Sequence, residues 1–387
     1  MRCAMETRTD APRRIGERPP LIIRRVDAVP VGLPLKKPVA MAGATVSRAL
    51  NLLVRIEAAD GTVGWGEAAS APTMTGDTLG GLIAAVRDHL ASLLIGEDAW
   101  MRPALCRKLK SALFGNTGAH SAIEMAMLDL AGRASGLPLA DLVGGALRWE
   151  VAPMWLLGNP TPEQDIAEAH AKRTEGFGFF KLKIGTKPVE AEIASTLALR
   201  DALGAETPLC ADANCGLTFE DASRYVDGAR GADLMFVEQP LAHDDLAGLA
   251  RLTQHSPILI GADEGIHSLA DIEEHKSCGA GGVALKLIKL GGMSAALDAA
   301  QLCQRLNLAV NVAAKIAESG IGSAAAIHLA CAASAVEWGV SLTHFYLAED
   351  VARNPLAIGD GAVALPSGPG LGVDVDETAV ERFRVAV

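Results

Sequence analysis

The sequence lacks the features that mark several classes of protein. No stretch approaches about 18 uninterrupted apolar residues, so we expect no membrane span and no membrane partner. The formal net charge is −11 and no basic block follows the first residues, which argues against nucleic acid as a partner. The seven cysteines are scattered without a CxxC pair, as is typical of reduced thiols in a cytoplasmic protein. No apolar signal segment opens the chain, and residues 1–20, which are polar and Arg-rich, are predicted to be a disordered leader.

The chain is long enough for two domains, with 387 residues of which 50% are hydrophobic. Residues 21–70 are rich in strand-forming residues, and the turn pair Asp60-Gly61 separates two predicted strands. Residues 80–147 then carry apolar residues at helical spacing. We therefore predict an α+β domain over residues 21–148.

The pattern changes at about residue 149. Short apolar strands there alternate with amphipathic helices at a spacing of roughly 23 to 30 residues, which is one βα unit each. Eight such units over residues 149–348 predict a TIM-like (β/α) barrel. A doubly wound sheet is the alternative, but no Gly-rich phosphate-binding segment follows the first strand. Residues 349–387 carry strand and turn signals and are expected to pack back on the first domain.

Charged residues end five consecutive predicted barrel strands. In such barrels the functional residues gather at the C-terminal ends of the strands. One charge in this position could result from packing, but a series across five strands is hard to obtain in that way, so we interpret the series as a functional site. The residues at these ends are Lys181 and Lys183, Asp212 and Asn214, Glu238, Asp263 and Glu264, and Lys286.

Three of these residues are carboxylates on adjacent strands. Asp212, Glu238 and Asp263 can converge on one point, where they would repel each other without a cation. Ligation by oxygen alone suits a hard ion such as Mg²⁺. The alternative is that they form ion pairs with the barrel lysines.

The lysines suggest a chemistry for this site. Lys181 and Lys183 are two positions apart in "FFKLKIG", so on a strand their side chains point to the same side. A carboxylate substrate on the metal would place its α-carbon between Lys183 and Lys286. Loss of an α-proton builds negative charge, which the metal and Lys181 would stabilise. Nearby positive charge lowers the pKa of a lysine and so favours its neutral, basic form.

Taken together, these motifs resemble the enolase superfamily, and within it the muconate lactonizing enzyme (muconate cycloisomerase-like) subgroup, over nearly the whole chain from about residue 22. The resemblance implies an α/β fold, a modified TIM barrel (β/α)₇β, with an N-terminal α+β capping domain that the C-terminal segment completes. Capping loops would lie at residues 36–48 and about 67–78. The resemblance also implies a homo-oligomer. The motifs are K-x-K (Lys181, Lys183), D-x-N (Asp212, Asn214), E-Q-P (Glu238), A-D-E (Asp263, Glu264) and A-L-K-L-x-K-x-G-G (Lys286).

The resemblance also implies roles for the site residues. Mg²⁺ or Mn²⁺ would bind the three carboxylates, and Lys183 and Lys286 would be opposed acid/base groups. Asn214 and Glu264 would support the site. A lysine on the sixth strand, with "NVAAKIAES" on the seventh, argues against the mandelate racemase subgroup, which carries an Asp and a His there.

Two residues after the seventh strand have less certain roles. Glu318 fits the E-S/T-G element of the subgroup, where it is expected to hydrogen-bond near the sixth-strand lysine. Lys315 occupies a stretch where relatives usually have small or apolar residues. It either contacts a second anionic group of the substrate or pairs with Glu318.

The predicted function is abstraction of an α-proton from a small carboxylate, and one enolate can have three outcomes. Cycloisomerisation and racemisation or epimerisation are favoured. The alternative is β-elimination, as by a dehydratase or an acylsuccinate synthase. A non-catalytic barrel is disfavoured because no ligand or lysine is lost, and a sugar- or phosphate-processing barrel because no Gly-rich phosphate loop is recognised near the last strands.

Overall fold

The computed structural model describes residues 18–41 and 44–387. Of the predicted leader, residues 1–17 lie outside the described residues. None of the helices in the described ranges is long and apolar enough to cross a membrane.

The N-terminal part is an antiparallel sheet packed against helices. Its strands β1 (Ile23–Met41), β2 (Ala44–Ala58) and β3 (Val63–Ala69) follow each other in the order of the chain. Gly61 provides the predicted turn between β2 and β3 with a φ of +88°, a conformation that favours glycine. The helices are α1 (Leu79–Ala84), α2 (Arg102–Ala112), α3 (Thr117–Ser135) and α4 (Leu139–Leu142), with a π-helical turn at Ala85–Leu90 and 3₁₀ turns at Ala91–Leu93 and Ala99–Met101.

The prediction of a loop at residues 36–48 is wrong, because β1 and β2 extend through most of this segment as a hairpin. Val39 pairs with Val46, after an irregularity in the register between Pro34 and Val39. Both valines also pack on the core. Their β-branched side chains favour the extended conformation, a local signal that the polar composition of the segment obscured.

Residues 153–341 form the barrel. After the short strand β4 (Glu150–Val151), eight parallel strands are neighbours in the order of the chain, and a bridge between Pro153 and Val340 joins the last strand to the first. They are β5 (Met154–Leu157), β6 (Phe179–Lys183), β7 (Leu209–Asp212), β8 (Val237–Glu238), β9 (Ile260–Ala262), β10 (Gly282–Leu285), β11 (Ala309–Ala313) and β12 (Val340–Ser341).

Helices follow the first seven of these strands, so the predicted (β/α)₇β barrel with an N-terminal cap is confirmed. The helices are α5 (Pro162–Thr174), α6 (Val189–Leu203), α7 (Phe219–Gly228), α8 (Leu246–His255), α9 (Leu269–Ser277), the single turn α10 (Leu287–Leu290), α11 (Met293–Arg305) and α12 (Gly320–Ala332), with 3₁₀ turns at Ala229–Ala232 and His344–Tyr346.

The C-terminal segment contacts both parts. The strands β13 (Ile358–Gly359) and β14 (Ala362–Ala364) form a small antiparallel sheet with β4. The last helix, α13 (Glu377–Phe383), packs near β1, where the backbone NH of Val385 donates to Pro30 at 3.1 Å. One hydrophobic core includes residues of β1, the barrel and this segment, for example Val31, Val312 and Val380.

Candidate active site

A cavity of about 250 Å³ lies at the C-terminal ends of the barrel strands, beneath Thr73 and Met74 of the N-terminal part. A larger cavity of about 370 Å³ lies beside β1 and α13, but it is remote from the strand ends, and most of its arginines pair with its own carboxylates. The smaller cavity therefore holds the candidate site. Its lining contains nine of the ten predicted site residues: Lys181, Lys183, Asp212, Asn214, Glu238, Asp263, Glu264, Lys286 and Lys315.

The strand register brings several of these side chains to one level. Lys183 on β6 is the partner of Asp212 on β7, which in turn is the partner of Glu238 on β8. The Nζ of Lys183 donates to Asp212 Oδ2 at 2.6 Å and to Asn214 Oδ1 at 2.7 Å. Lys181 is 2% exposed and donates to Glu238 Oε2 at 2.6 Å. Both lysines thus point into the barrel, as the two-residue spacing predicts, and each pairs with a different carboxylate.

Asp263 accepts hydrogen bonds from two lysines. Lys286 forms an ion pair with its Oδ2, and Lys289 donates to its Oδ1 at 2.6 Å. Lys289 is fully buried and also donates to the carbonyl of Ala284 at 3.0 Å. Our sequence reading missed the role of Lys289, although it is the second lysine of the A-L-K-L-x-K-x-G-G motif. The turn α10 places it on the same side as Lys286, three residues earlier.

The ion pairs control the ionisation of the carboxylates. Burial alone would raise the pKa of Asp212, but Lys183 and Lys181 hold it below its usual value. Lys286 and Lys289 likewise lower the pKa of Asp263 in spite of burial. Burial dominates at Glu238 and raises its pKa to about 7, because Lys181 offsets only part of that effect.

The three carboxylates thus form ion pairs with lysines, the alternative that the sequence analysis left open. Within the described ranges, no three acidic, histidine or cysteine side chains are arranged as a metal-binding cluster. The donor chemistry nevertheless fits a hard divalent cation, because Asp212, Glu238 and Asp263 supply only oxygen from three adjacent strand ends.

Asn214 and Glu264 lie beside these ion pairs. The amide Nδ2 of Asn214 donates to Glu264 Oε1 at 2.9 Å, while its Oδ1 accepts from Lys183. The other oxygen of Glu264 is buried and has no hydrogen-bond partner in the described part of the chain. Burial and the neighbouring Asp263 raise the pKa of Glu264.

Lys315 and Glu318 do not form the pair considered in the sequence analysis. Lys315 lines the cavity, and the one hydrogen bond that its Nζ makes within the described residues is to the carbonyl of Ile316, at 3.2 Å. Burial, with Lys286 nearby, lowers its pKa to about 8. Glu318 is buried outside the cavity lining, and among the described residues no hydrogen bond joins its carboxyl group to Lys286. Burial, with Glu67 nearby, raises the pKa of Glu318 to about 8.

Glu67 connects the N-terminal sheet to the loop that carries Lys315. Its carboxyl group is fully buried and accepts from the backbone NH of Ser319 at 2.9 Å, the hydroxyl of Ser319 at 2.6 Å and the NH of Gly322 at 2.8 Å. The amide of Asn51 on β2 donates to the same carboxyl group at 2.6 Å. Glu67, at the first position of the predicted capping loop at about 67–78, belongs instead to β3 and fixes the start of α12.

Comparison with protein families defines the class. The model of the mandelate racemase / muconate lactonizing enzyme N-terminal domain matches residues 23–144, and that of the enolase C-terminal domain-like family matches residues 164–379. The chain therefore belongs to the mandelate racemase / muconate lactonizing enzyme family of the enolase superfamily, as the motifs indicated.

Individual relatives narrow the class. Muconate cycloisomerase 1 of Pseudomonas putida is 34% identical over 375 residues, which cover 94% of this chain and 98% of the relative. The crystal structure of muconate lactonizing enzyme from Pseudomonas fluorescens complexed with muconolactone has a TM-score of 0.91 at 30% identity, and covers 95% of this chain and 100% of that one. An N-succinyl Arg/Lys racemase from Bacillus cereus shares the fold, with a TM-score of 0.90 at 23% identity over 95% of this chain and 99% of that one. The protein is thus a muconate cycloisomerase-like enzyme.

Proposed function

We propose that this enzyme removes the α-proton of a small carboxylate substrate with Lys183 or Lys286, and that the resulting enolate gives a cycloisomerase or a racemase/epimerase product. The observation that carries the proposal is the placement of these lysines. Their strands, β6 and β10, are four apart in a ring of eight, so the two amines approach the cavity from opposite sides. A substrate between them presents one face to each.

A divalent cation, Mg²⁺ or Mn²⁺, would be held by Asp212, Glu238 and Asp263. When bound, it supplies positive charge that stabilises the anion formed on the substrate carboxylate. The residues support this assignment through their oxygen-only chemistry and their positions at three adjacent strand ends.

The lysines need different protonation states for their roles. Lys181, which pairs with Glu238, stays protonated and stabilises negative charge on the substrate; Glu238 and Asp212 raise its pKa in spite of burial. A base must instead be neutral, so Lys183 or Lys286 has to leave its carboxylate partner before it accepts a proton. The other lysine can then deliver a proton to the opposite face.

Deuterium exchange tests this proposal. The enzyme is incubated with Mg²⁺ in D₂O and pools of carboxylates: N-acylamino acids, dipeptides, amino-acid betaines, hydroxyprolines and muconates. Incorporation at the α-carbon is read by mass spectrometry or NMR, and muconate turnover by the loss of ultraviolet absorbance. We expect exchange that requires the metal and falls by at least about 100-fold in Lys183→Ala or Lys286→Ala.

Lys108→Ala is the matched control, because Lys108 is an exposed lysine that pairs with Glu97 on the surface. Exchange with inversion would identify an epimerase, and loss of water an eliminase. Exchange that is equal in the wild type and both barrel-lysine variants would contradict the proposed roles. Failure to bind Mg²⁺ or Mn²⁺ would contradict the mechanism.

We also propose that the enzyme is cytoplasmic and forms a homo-oligomer. The six cysteines within the described ranges are all free, in line with a reducing compartment. Light scattering coupled to gel filtration measures the number of subunits.

A further inference from the structure

Lys315 is exceptional among the lysines of the cavity. Lys181, Lys183 and Lys286 each form an ion pair with a carboxylate, whereas Lys315 has no carboxylate within ion-pair distance in the described part of the chain. It is only 9% exposed, so water screens its charge poorly. A buried ammonium group without a counter-ion is costly, which indicates that a ligand provides the counter-ion.

The surroundings of Lys315 resemble the end of a ligand site. On the neighbouring strand, Ser341 is the partner of Ala313, and it also lines the cavity. The Ser341 hydroxyl is buried and has no hydrogen-bond partner among the described residues. Thr343 donates its hydroxyl to the carbonyl of Lys315 at 2.9 Å and so fixes the loop. An ammonium group without a carboxylate counter-ion, together with a hydroxyl group without a hydrogen-bond partner, can bind an oxyanion.

The barrel topology places this wall across the cavity from the three carboxylates. Those carboxylates belong to β7, β8 and β9, and in a ring of eight the strands opposite β7 and β8 are β11 and β12. Lys315 follows β11, and Ser341 belongs to β12. The line from the carboxylates to Lys315 therefore crosses the line between Lys183 and Lys286.

We propose that Lys315, assisted by Ser341, binds a second anionic group of the substrate. The inference rests on the proposed function and assigns Lys315 to the second oxyanion, at the far end of the substrate. One end of the substrate lies toward the three carboxylates and the cation they would hold, and the other lies at Lys315. The α-carbon is then held between Lys183 and Lys286. Lys315 is thus a specificity-determining residue.

Binding of unreactive acids tests the proposal without relying on turnover. Calorimetric titrations at pH 7 with Mg²⁺ compare linear dicarboxylates, from succinate to pimelate, with monocarboxylates of the same chain length. We expect at least one dicarboxylate to bind the wild type about tenfold or more tightly than its monocarboxylate partner. Lys315→Met, which keeps a linear side chain but removes the charge, should abolish that preference and change monocarboxylate affinity less than about twofold. Ser341→Ala should reduce the preference by about threefold.

Lys187→Met is the matched control, because Lys187 lies after β6 outside the cavity lining and donates to the carbonyl of Asn159 at 2.9 Å. It should keep the preference for dicarboxylates. Lys315→Arg should retain part of it, and unchanged Mg²⁺ affinity in Lys315→Met would demonstrate an intact fold.

The outcomes separate the two proposals. Equal binding of all mono- and dicarboxylate pairs by the wild type, or an undiminished preference in Lys315→Met, would overturn the second-anion site. If α-proton exchange of monocarboxylates still required Mg²⁺ and the barrel lysines, the proposed function would stand. If no acid of either kind bound and no carboxylate exchanged deuterium, both proposals would be overturned.

Discussion

Individual side chains in this site are governed by burial as much as by charge. Lys181 is in register with Cys210 on the adjacent strand, yet its ammonium reaches Glu238 one strand further. Inside a barrel, side chains from alternate strands share a layer, so β6 and β8 can meet there. Removal of one partner from such a buried pair would leave an uncompensated charge, a change that typically costs about 3 to 5 kcal/mol.

The ionisation of the Glu318 carboxyl group is expected to make the stability of the protein depend on pH. Its pKa is raised from 4.5 to about 8 in the folded protein, chiefly by burial and then by Glu67. A raised pKa means that the folded state binds the proton more tightly than the unfolded state does. The stability contributed by protonated Glu318 is complete below about pH 4.5 and is lost as the pH rises through 8.

The variant Glu318→Gln cannot ionise, so it should escape this loss. We expect the thermal midpoint of Glu318→Gln minus that of the wild type to be about 2 to 4 °C larger at pH 8 than at pH 5. Differential scanning calorimetry of the metal-free proteins measures this difference. Glu273→Gln, at an exposed position on α9, should show no such trend. A difference that stays constant across the range would contradict the prediction.

At the scale of elements, the contact between β3 and α3 depends on two glycines. A Cβ atom at Gly66 would lie 2.0 Å from the carbonyl oxygen of Ala122, and one at Gly64 would lie 2.3 Å from that of Ala126. Both distances are far below van der Waals contact, so the helix can lie on the strand only where β3 has no side chains. This explains the alternation in "GWGEA", where Trp65 between the glycines points to the other face.

We therefore expect Gly66→Ala to destabilise the protein by about 1 to 3 kcal/mol or more, because backbone must move to admit the methyl group. Gly178→Ala is a suitable control, since no neighbouring atom lies within 4 Å of its added Cβ. It should change stability by less than about 1 kcal/mol. Urea unfolding measures both variants. If the Gly66→Ala variant were as stable as the wild type, α3 could not approach β3 so closely.

For the whole molecule, the important connection is between the cap and the barrel. Asn51 and Glu67 belong to the N-terminal sheet, but they bind the loop between β11 and α12. Asn51 donates to the carbonyl of Ala317 at 3.0 Å. Glu67 accepts hydrogen bonds from Ser319 and Gly322. Burial raises the pKa of Glu67 to about 7, and the hydrogen bonds from Ser319 and Gly322 oppose that rise. The same loop carries Lys315, so the cap helps to position the cavity wall.

The variant Glu67→Ala should loosen this connection. It leaves the buried donors of Ser319 and Gly322 without an acceptor, at a cost of about 1 to 3 kcal/mol for each unsatisfied group. We expect a total loss of at least about 3 kcal/mol and faster hydrogen exchange in a peptide that covers residues 314–323. Glu67→Gln, which keeps one acceptor oxygen, should have a smaller effect. Mass spectrometry measures the exchange, with a peptide from β6 as internal reference. If residues 314–323 exchanged at the same rate in Glu67→Ala as in the wild type, the role of Glu67 would be contradicted.

Local patterns in the sequence are enough to predict the class of fold and the position of the site at the C-terminal ends of the barrel strands. The regular spacing of strands and helices is a local pattern, and the C-terminal ends of parallel strands meet at one face of a barrel in any case. The sequence alone therefore assigns Asp212, Glu238, Asp263 and the lysines to one cavity. Their catalytic and metal-binding roles stay predictions until the exchange and binding experiments are made.

The ion-pair and hydrogen-bond partners of these groups depend on the tertiary structure. The pairing of Lys181 with Glu238 depends on strand register, and that of Lys289 with Asp263 on the turn after β10. The hydrogen bonds that Glu67 accepts from Ser319 and Gly322 join residues more than 250 positions apart, which no local periodicity encodes. The lowered pKa of Lys315 results chiefly from its burial in the assembled cavity wall. Periodicity reflects neighbours along the chain, whereas ion pairing and burial arise only when distant segments exclude water together.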